Sequence, residues 1–201
     1  MCNELTAWEE ALKFHGHSCP GLAMGVRASE IALAKLGIDR ADDEELVAFV
    51  YCDACGVDGV QVITGCTLGK GNLFFKDHGK QAYTIAKRDG SEAVRVVFKQ
   101  HKFKEEDKSL RKKCFAGTAS AEEMEKFKKM QAEHTKYILE GPEEELLKVN
   151  KVNVQIPQKA RIFNSICCEV CGEYFMEPRA RMQESKLVCL DCFDEYKRFE
   201  V

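Results

Sequence analysis

Polar and apolar positions at the start of the chain predict two helices. Thr6 and Glu9 form a capping pattern, and the apolar spacing behind it predicts a first helix over about residues 6–14. A second helix is expected to begin at Pro20, which suits a first helical turn, and to end at Gly37. Both helices are therefore predicted from their terminal residues as well as from their spacing.

The second helix has apolar residues on two opposite sides. One stripe recurs at steps of four and three residues and comprises Leu22, Val26, Ser29, Leu33 and Leu36. Met24, Ala28 and Ile31 lie on nearly the opposite side. A helix with one solvent-exposed side does not account for this pattern. We therefore expect both sides to be covered, with a second subunit as one candidate for the cover.

The middle of the chain predicts strands and one short helix. Residues 46–51 are continuously apolar, as expected of a central strand that is buried on both faces. A two-turn helix is expected between Cys55 and Gly65. Two further strands are expected at about 81–87 and 93–99, and the second alternates apolar residues with Arg95 and Lys99.

Helical spacing returns later in the chain and leads to a last strand. Ser120 and Glu123 form a second capping pattern, and the amphipathic helix behind it is stopped by the Gly-Pro pair at 141–142. His134 lies on the apolar side of this helix, where a packed core histidine is expected. A final strand is expected over 152–156.

These elements predict an α+β fold, with a small mixed sheet, flanking helices and a C-terminal four-cysteine zinc-binding module. A linker that begins at Pro157 places the core domain at 1–157 and a zinc-ribbon-like domain at 158–201. The lysine-rich stretch 99–113 is typical of a solvated surface.

Composition and charge argue against two classes of partner. The 201 residues carry a net charge of −3, too weak a field to attract nucleic acid or an anionic membrane without specific contacts. The chain contains no apolar run long enough to span a bilayer or to form a signal peptide, so we expect a cytoplasmic protein. In that reducing compartment, its 11 cysteines favour metal binding or redox chemistry over disulfides.

The tail carries two Cys-x-x-Cys pairs, Cys168 with Cys171 and Cys189 with Cys192. Two such pairs place four thiolates around one tetrahedral ion, which predicts a structural zinc. Cys167 competes with Cys168, but only Cys168 has the two-residue gap to Cys171. Residues 161–201 hold six Lys or Arg against eight Asp or Glu, which argues against a nucleic-acid-binding finger and favours a scaffold or protein-contact role.

A second group of metal-capable side chains precedes the second helix. His15, His17 and Cys19 occupy alternate positions, and an extended segment would direct all three toward one ligand position. Cys19 lies at or beside the N-cap, where backbone N–H groups and the helix dipole favour a thiolate. This pattern predicts a metal site or a nucleophile.

A third group follows the buried strand and contains Cys52, Cys55, Asp58 and Cys66. Cys55 and Cys66 are the best candidates to face a crevice at the end of that strand. The alternative is that the three cysteines are small buried apolar residues, which accounts well for Cys52. The glycine-rich run from 65 to 72 lacks the phosphate-loop pattern, although its amides and Lys70 are suited to an anionic group.

Three motifs in the first half resemble the E-subunit family of formylmethanofuran dehydrogenase. They are H-x-H-x-C-P-G at 15–21, D-A-C-G-V-D-x-x-Q at 53–61 and T-G-C-T-x-G-K-G-N-L at 64–73. The resemblance is close over about 10–100 and looser to about 155. It implies an α+β core, an intertwined homodimer and a metal near the His-Cys motif; relatives also carry a zinc-ribbon tail. The family is named after a molybdenum or tungsten enzyme complex, but this chain has no pterin motif and no ferredoxin-type cysteine run of its own.

Two functions follow from these observations. The first is an accessory subunit or metal-handling protein, in which His17, Cys19 and Cys55 hold a divalent ion, zinc by default or nickel, with His15 and Cys66 as further candidate ligands. The second is a stand-alone enzyme of unknown substrate, with Cys19 or Cys55 as nucleophile or a metal-bound water as the reactive group, and Asp58 as acid or base. An open coordination position on the metal would favour the enzyme, since a storage or structural metal has all its positions filled by protein ligands. The first function is favoured, and it implies about two metal equivalents per chain, one in each site.

Overall fold

A computed structural model describes residues 5–100, 105–196 and 198 of the chain. The chain divides into two compact units, a core unit at 1–159 and a tail unit at 160–201. Each unit is described below by itself.

The described part of the core unit contains six helices and five strands. Its helices are α1 (Ala7–His15), α2 (Pro20–Leu36), α3 (Gly56–Thr64), α4 (Glu105–Phe115), α5 (Ala121–Glu140) and α6 (Glu143–Leu146). Its strands are β1 (Leu46–Val50), β2 (Leu73–Phe75), β3 (Ala82–Lys87), β4 (Ala93–Phe98) and β5 (Leu147–Lys151). The predicted capping patterns at Thr6 and Ser120 are both confirmed, since each side chain accepts from the backbone three residues on and each glutamate returns the bond.

The five strands form one mixed sheet in the order β2-β1-β3-β4-β5. Strand β1 runs parallel to β2 and antiparallel to β3, and the remaining pairs are antiparallel. Every residue of β1 is buried, which confirms the predicted strand with two covered faces. The α+β class with a mixed sheet and flanking helices is confirmed as well.

Helix α2 is the centre of the helical layer. It packs on α3 and α5, on α1, and on the strands β3 and β4. Its buried side chains therefore include residues from both of the predicted stripes, such as Leu22, Val26, Ala28 and Ile31. Both sides of the helix are covered, as expected, and the covering elements belong to the same chain.

Helices α2 and α3 meet through their backbones at a glycine contact, formed by Gly25 on α2 and by Gly56 and Gly59 on α3. A β-carbon added at Gly25 would lie 1.9 Å from the carbonyl oxygen of Gly56, and one added at Gly59 would lie 2.6 Å from the backbone nitrogen of Val26. No side chain fits into this space, because real β-carbons do not approach other atoms so closely. The contact therefore fixes the separation of the two helices.

The prediction of a strand over 152–156 is wrong. The last strand of the sheet is β5, which follows α6 directly and pairs with β4 in the register Val96 to Val149. Val154 and Ile156 instead pack against the apolar side chains of Val47 and Phe49 on the face of the sheet away from α2. A segment that lies across a sheet buries alternate residues, so its pattern is the same as that of a strand.

Besides β5, three elements of the core unit were not predicted. Strand β2 has three residues and helix α6 has four, too few for a period to be visible. Helix α4 overlaps most of the lysine-rich stretch and has no buried residue, so it has no apolar stripe to indicate a helix. The expectation that this region is a solvated surface agrees with that exposure.

The tail unit consists of two small antiparallel hairpins. The first pairs β6 (Ser165–Cys167) with β7 (Tyr174–Met176), and the second pairs β8 (Arg181–Gln183) with β9 (Lys186–Val188). Its buried apolar cluster is small and consists of Cys168, Val188 and Cys189. So few buried residues stabilise a module of this size only weakly, and this agrees with a metal-dependent fold.

Among the described residues, no helix has both the length and the apolar character that a membrane span requires.

The glycine contact predicts that Gly25→Ala destabilises the core unit. Helix propensity alone favours alanine by about 1 kcal/mol, whereas forcing a β-carbon against Gly56 costs about 1–3 kcal/mol of overpacking. We expect a net loss in the free energy of unfolding, measured by denaturant titration of the fluorescence of Trp8, the single tryptophan, which packs against the core. Gly69→Ala is the matched control, because nothing lies within 4 Å of its β-carbon position. A Gly25→Ala variant as stable as the native chain would contradict the account.

Candidate metal centres

Four side chains of the core unit converge at one point. The metal-binding atoms of His15, His17, Cys19 and Cys55 all lie within 4.8 Å of one another. His15 Nε2 and Cys19 Sγ are 3.9 Å apart. We call this set the core cluster. His17 is exposed, and the other three side chains are partly buried.

The two histidines reach the core cluster through a turn. His15 is the last residue of α1, and Gly16 then reverses the chain with a φ of 87°, in the left-handed region that favours glycine. The rings of His15 and His17 lie with centroids 4.3 Å apart. The expected extended segment over 15–19 is therefore wrong, and the convergence depends on the turn at Gly16.

Both cysteines of the core cluster lie at helix N-termini. Cys19 is the N-cap of α2, as predicted, and its Sγ accepts a hydrogen bond from the backbone N–H of Leu22 at 3.3 Å. Cys55 directly precedes α3. The two thiols meet over Gly21, where an added β-carbon would lie 3.8 Å from each sulfur. The glycine contact between α2 and α3 thus brings the two helix starts, and with them the two thiols, together.

Asp58 orients His15. The Nδ1 of His15 donates to Asp58 Oδ2 at 2.7 Å, and Gln61 donates to Asp58 Oδ1 at 3.3 Å. A neutral imidazole that donates from Nδ1 presents Nε2 as its ligand atom, which faces Cys19 here. The position of Asp58 therefore favours a role in fixing the ring of His15. Its acid or base role stays a prediction.

The core cluster fits a tetrahedral divalent cation. Zinc bonds to imidazole and thiolate imply N-to-S separations of about 3.6 Å, close to the observed distance between His15 and Cys19. Burial and the neighbouring Cys19 raise the pKa of the Cys55 thiol, because both disfavour a second thiolate without a cation. A bound cation would remove that penalty, so metal binding at this site is expected to release protons.

Other candidate residues lie away from the core cluster. Cys66 is fully buried among apolar side chains, where burial raises the pKa of its thiol. Cys52 is also buried, and its thiol faces the side-chain oxygen of Gln81 at 3.7 Å. Lys70 donates to the backbone carbonyls of Asp42 and Asp43, each at 3.2 Å. These contacts give Lys70 a structural role in the glycine-rich run.

The four tail cysteines also converge. The sulfur atoms of Cys168, Cys171, Cys189 and Cys192 lie within 4.8 Å of one another, and those of Cys171 and Cys189 are 3.9 Å apart. Tetrahedral zinc with four thiolates implies S-to-S separations of about 3.8 Å. Backbone N–H groups of Cys171 and Cys189 lower the pKa of the Cys168 thiol to about 6. Cys167 lies outside this group and points its thiol at the carbonyl of Gly172, at 3.4 Å.

A cleft of about 1180 Å³ opens beside the core cluster. His17, Cys19 and Cys55 line it together with side chains from α4 and α5. His134 is one of them. The prediction that His134 packs in the core is wrong, since its side chain is only partly buried and lines the cleft.

The sequence contains signals for two features that were not predicted. Gly21 and Gly25 lie four residues apart on α2, and Gly56 and Gly59 lie three apart on α3, which is the spacing of a small-residue face on a helix. Asp58 lies three residues after Cys55, so the sequence indicates that it is close to the core cluster. Its pairing with His15 has no sequence signal, because it depends on how α1 packs. The cleft has no local signal, because its walls come from distant parts of the chain.

Comparisons with known proteins give one match to each unit. Residues 14–148 match the family model described as "FmdE, Molybdenum formylmethanofuran dehydrogenase operon". Residues 161–198 match the model of the prokaryotic dksA/traR C4-type zinc finger. The first match covers more than half of the chain, and the second contains all four tail cysteines.

A curated protein of Archaeoglobus fulgidus, described as a probable S-adenosyl-L-methionine-binding protein, is 38% identical over 195 residues. The match covers 92% of this chain and 52% of that protein, so the chain spans about half the length of this relative. A solved structure, that of a tungsten formylmethanofuran dehydrogenase FmdE-like protein from Syntrophus aciditrophicus, matches with a TM-score of 0.61 at 23% identity. That match covers 92% of this chain and 88% of the other, and it shows a shared fold.

The contact between Asp58 and His15 predicts that Asp58→Ala weakens metal binding in the core unit. Loss of a partner that orients a ligating histidine costs about 10–100-fold in metal affinity. Competition with a chromophoric chelator would measure the affinities of both sites, and we expect the tail affinity to stay unchanged. Asp53→Ala is the control, because Asp53 is an exposed aspartate in the segment that directly precedes α3. Equal affinities in the two variants would contradict an orienting role for Asp58.

Proposed function

We propose, since this chain belongs to the FmdE family, that it is a metal-binding protein of that family whose core cluster holds a divalent cation and whose tail holds a structural zinc. The observation that carries the proposal is the convergence of two imidazoles and two thiols within 4.8 Å. Mixed nitrogen and sulfur ligands suit zinc, and nickel is the alternative.

The ligand count supports an accessory or metal-handling role. Four protein ligands, His15, His17, Cys19 and Cys55, would fill a tetrahedral coordination sphere and leave no position for a substrate. In this role the chain works beside a molybdenum or tungsten dehydrogenase, which supplies the redox cofactors that this chain has no motif to bind.

A stand-alone enzyme is the second candidate. The observation that favours it is the cleft, which is large enough for a small organic molecule and reaches three of the four cluster residues. His17 is exposed, so it is the ligand most easily displaced to open a coordination position. Such a metal would act as a Lewis acid or activate water for hydrolysis.

The described function of the Archaeoglobus relative suggests S-adenosyl-L-methionine as a ligand to consider for this chain. That description applies to a protein about twice as long, so it does not say which half holds the ligand. We further propose a homodimer, as the family resemblance implies. Exposed apolar side chains on the core unit, among them Phe14 and Phe75, are available for a second copy.

Metal analysis of purified variants tests the proposal. We expect about two zinc or other divalent ions per native chain and about one in Cys19→Ala, because the core cluster loses a ligand. Cys66→Ala and Cys114→Ala are the controls and should keep both ions, since neither thiol belongs to a cluster. If deletion of residues 160–201 removes the only ion found, the core metal site is refuted; if Cys66→Ala loses an ion, the ligand set is wrong.

A further inference from the structure

The cleft beside the core cluster is positively charged, although the chain as a whole is acidic. Its lining includes Lys99, Lys108, Arg111 and Lys128. None of its lining residues in the described part of the chain is Asp or Glu, whereas the whole sequence has 33 acidic residues against 30 basic ones. Positive charges that gather in a concave surface raise the local concentration of anions.

The four cations contribute unequally. Lys108 pairs with Glu105 at 2.6 Å, which offsets its charge. Lys99 donates to the backbone carbonyl of Glu144, a neutral group, so its charge is retained. The guanidinium of Arg111 lies 5.2 Å from the ring centroid of Phe115. Arg111 and Lys128 both have exposed side chains, and they come from α4 and α5 respectively.

The same cleft has apolar walls. Phe98, Phe115 and Phe127 line it together with Met24 and Met124. Phe115 is 69% exposed, and its ring meets that of Phe127 edge-on at 5.8 Å. Exposed aromatic rings next to methionines are typical of sites that bind flat, apolar groups.

We propose that this cleft binds a small organic anion, with a ring-bearing apolar body against the aromatic wall and a carboxylate or phosphate group near Arg111 and Lys128. A volume of about 1180 Å³ accommodates a molecule of that size. Because His17, Cys19 and Cys55 line the same cleft, the bound ligand shares that cleft with three residues of the core cluster. This proposal depends on the proposed function in one respect only, namely that a metal is bound by the core cluster.

Charge distinguishes this ligand class from S-adenosyl-L-methionine. That molecule carries a sulfonium and an ammonium against one carboxylate, so its net charge is positive at neutral pH. A cleft lined by cations and without acidic residues in its described lining disfavours a cation. The cleft therefore favours an anion over that compound.

A matched pair of fluorescent probes tests the proposal on the full-length, zinc-loaded protein. One probe is 8-anilinonaphthalene-1-sulfonate, and the other is N-phenyl-1-naphthylamine, which has the same rings without the charge. We expect saturable binding of the anionic probe. Lys128→Ala and Arg111→Ala should each weaken its affinity about tenfold, because each removes a charge-assisted contact. Lys129→Ala, the adjacent lysine outside the cleft lining, should change the affinity less than twofold.

Three results would overturn the proposal. They are equal affinity for the two probes, equal weakening by Lys128→Ala and Lys129→Ala, and displacement of the anionic probe by S-adenosyl-L-methionine but not by adenosine 5′-monophosphate. Metal content is measured on the same samples. Charge-dependent probe binding without a second metal refutes the proposed function alone, and two metals without charge-dependent binding refute the organic anion alone.

Discussion

The backbone contact between α2 and α3 is the constraint on which the core cluster depends. Gly25 and Gly56 approach so closely that an added β-carbon would lie 1.9 Å from a carbonyl oxygen. Two helices held this way share one end, so the residues at their starts, Cys19 and Cys55, become neighbours although 35 residues separate them in the sequence. Both thiols therefore lie at the positive ends of helix dipoles. The turn at Gly16 and the carboxylate of Asp58 add the imidazoles to a site that the two helices define.

The two clusters differ in how much the folding of their units depends on them. The core cluster lies at the edge of a unit that has a five-stranded sheet, a layer of helices and a large apolar core, so this unit has ample means to fold without metal. The tail unit, in contrast, has only a small buried cluster, and two of its three buried residues are cysteines of the metal site. Metal in the tail therefore serves stability, whereas a metal bound by the core cluster would be available for function. The cleft with cationic and aromatic walls is next to the core cluster, which agrees with that division.

Much of the fold could be predicted from the sequence, because capping residues and apolar periods are local signals. The bounds of α2, the buried strand β1 and the capping boxes at Thr6 and Ser120 were predicted on that basis and are confirmed. The strand expected at 152–156 was wrong, since Val154 and Ile156 lie across the sheet with the same alternation that a strand would show. Helix α4 was missed because it buries nothing. The tail cysteines could be grouped from spacing alone, whereas the choice between Cys55 and Cys66 required the packing of α2 on α3.

X-ray absorption at the zinc edge tests the central claim most directly, on zinc-loaded full-length protein in which Cys171→Ala and Cys192→Ala remove the tail site. The account predicts a shell of two nitrogen and two sulfur atoms, at about 2.0 and 2.3 Å, from His15, His17, Cys19 and Cys55. A shell of oxygen atoms alone, or the absence of zinc from this variant, would contradict it.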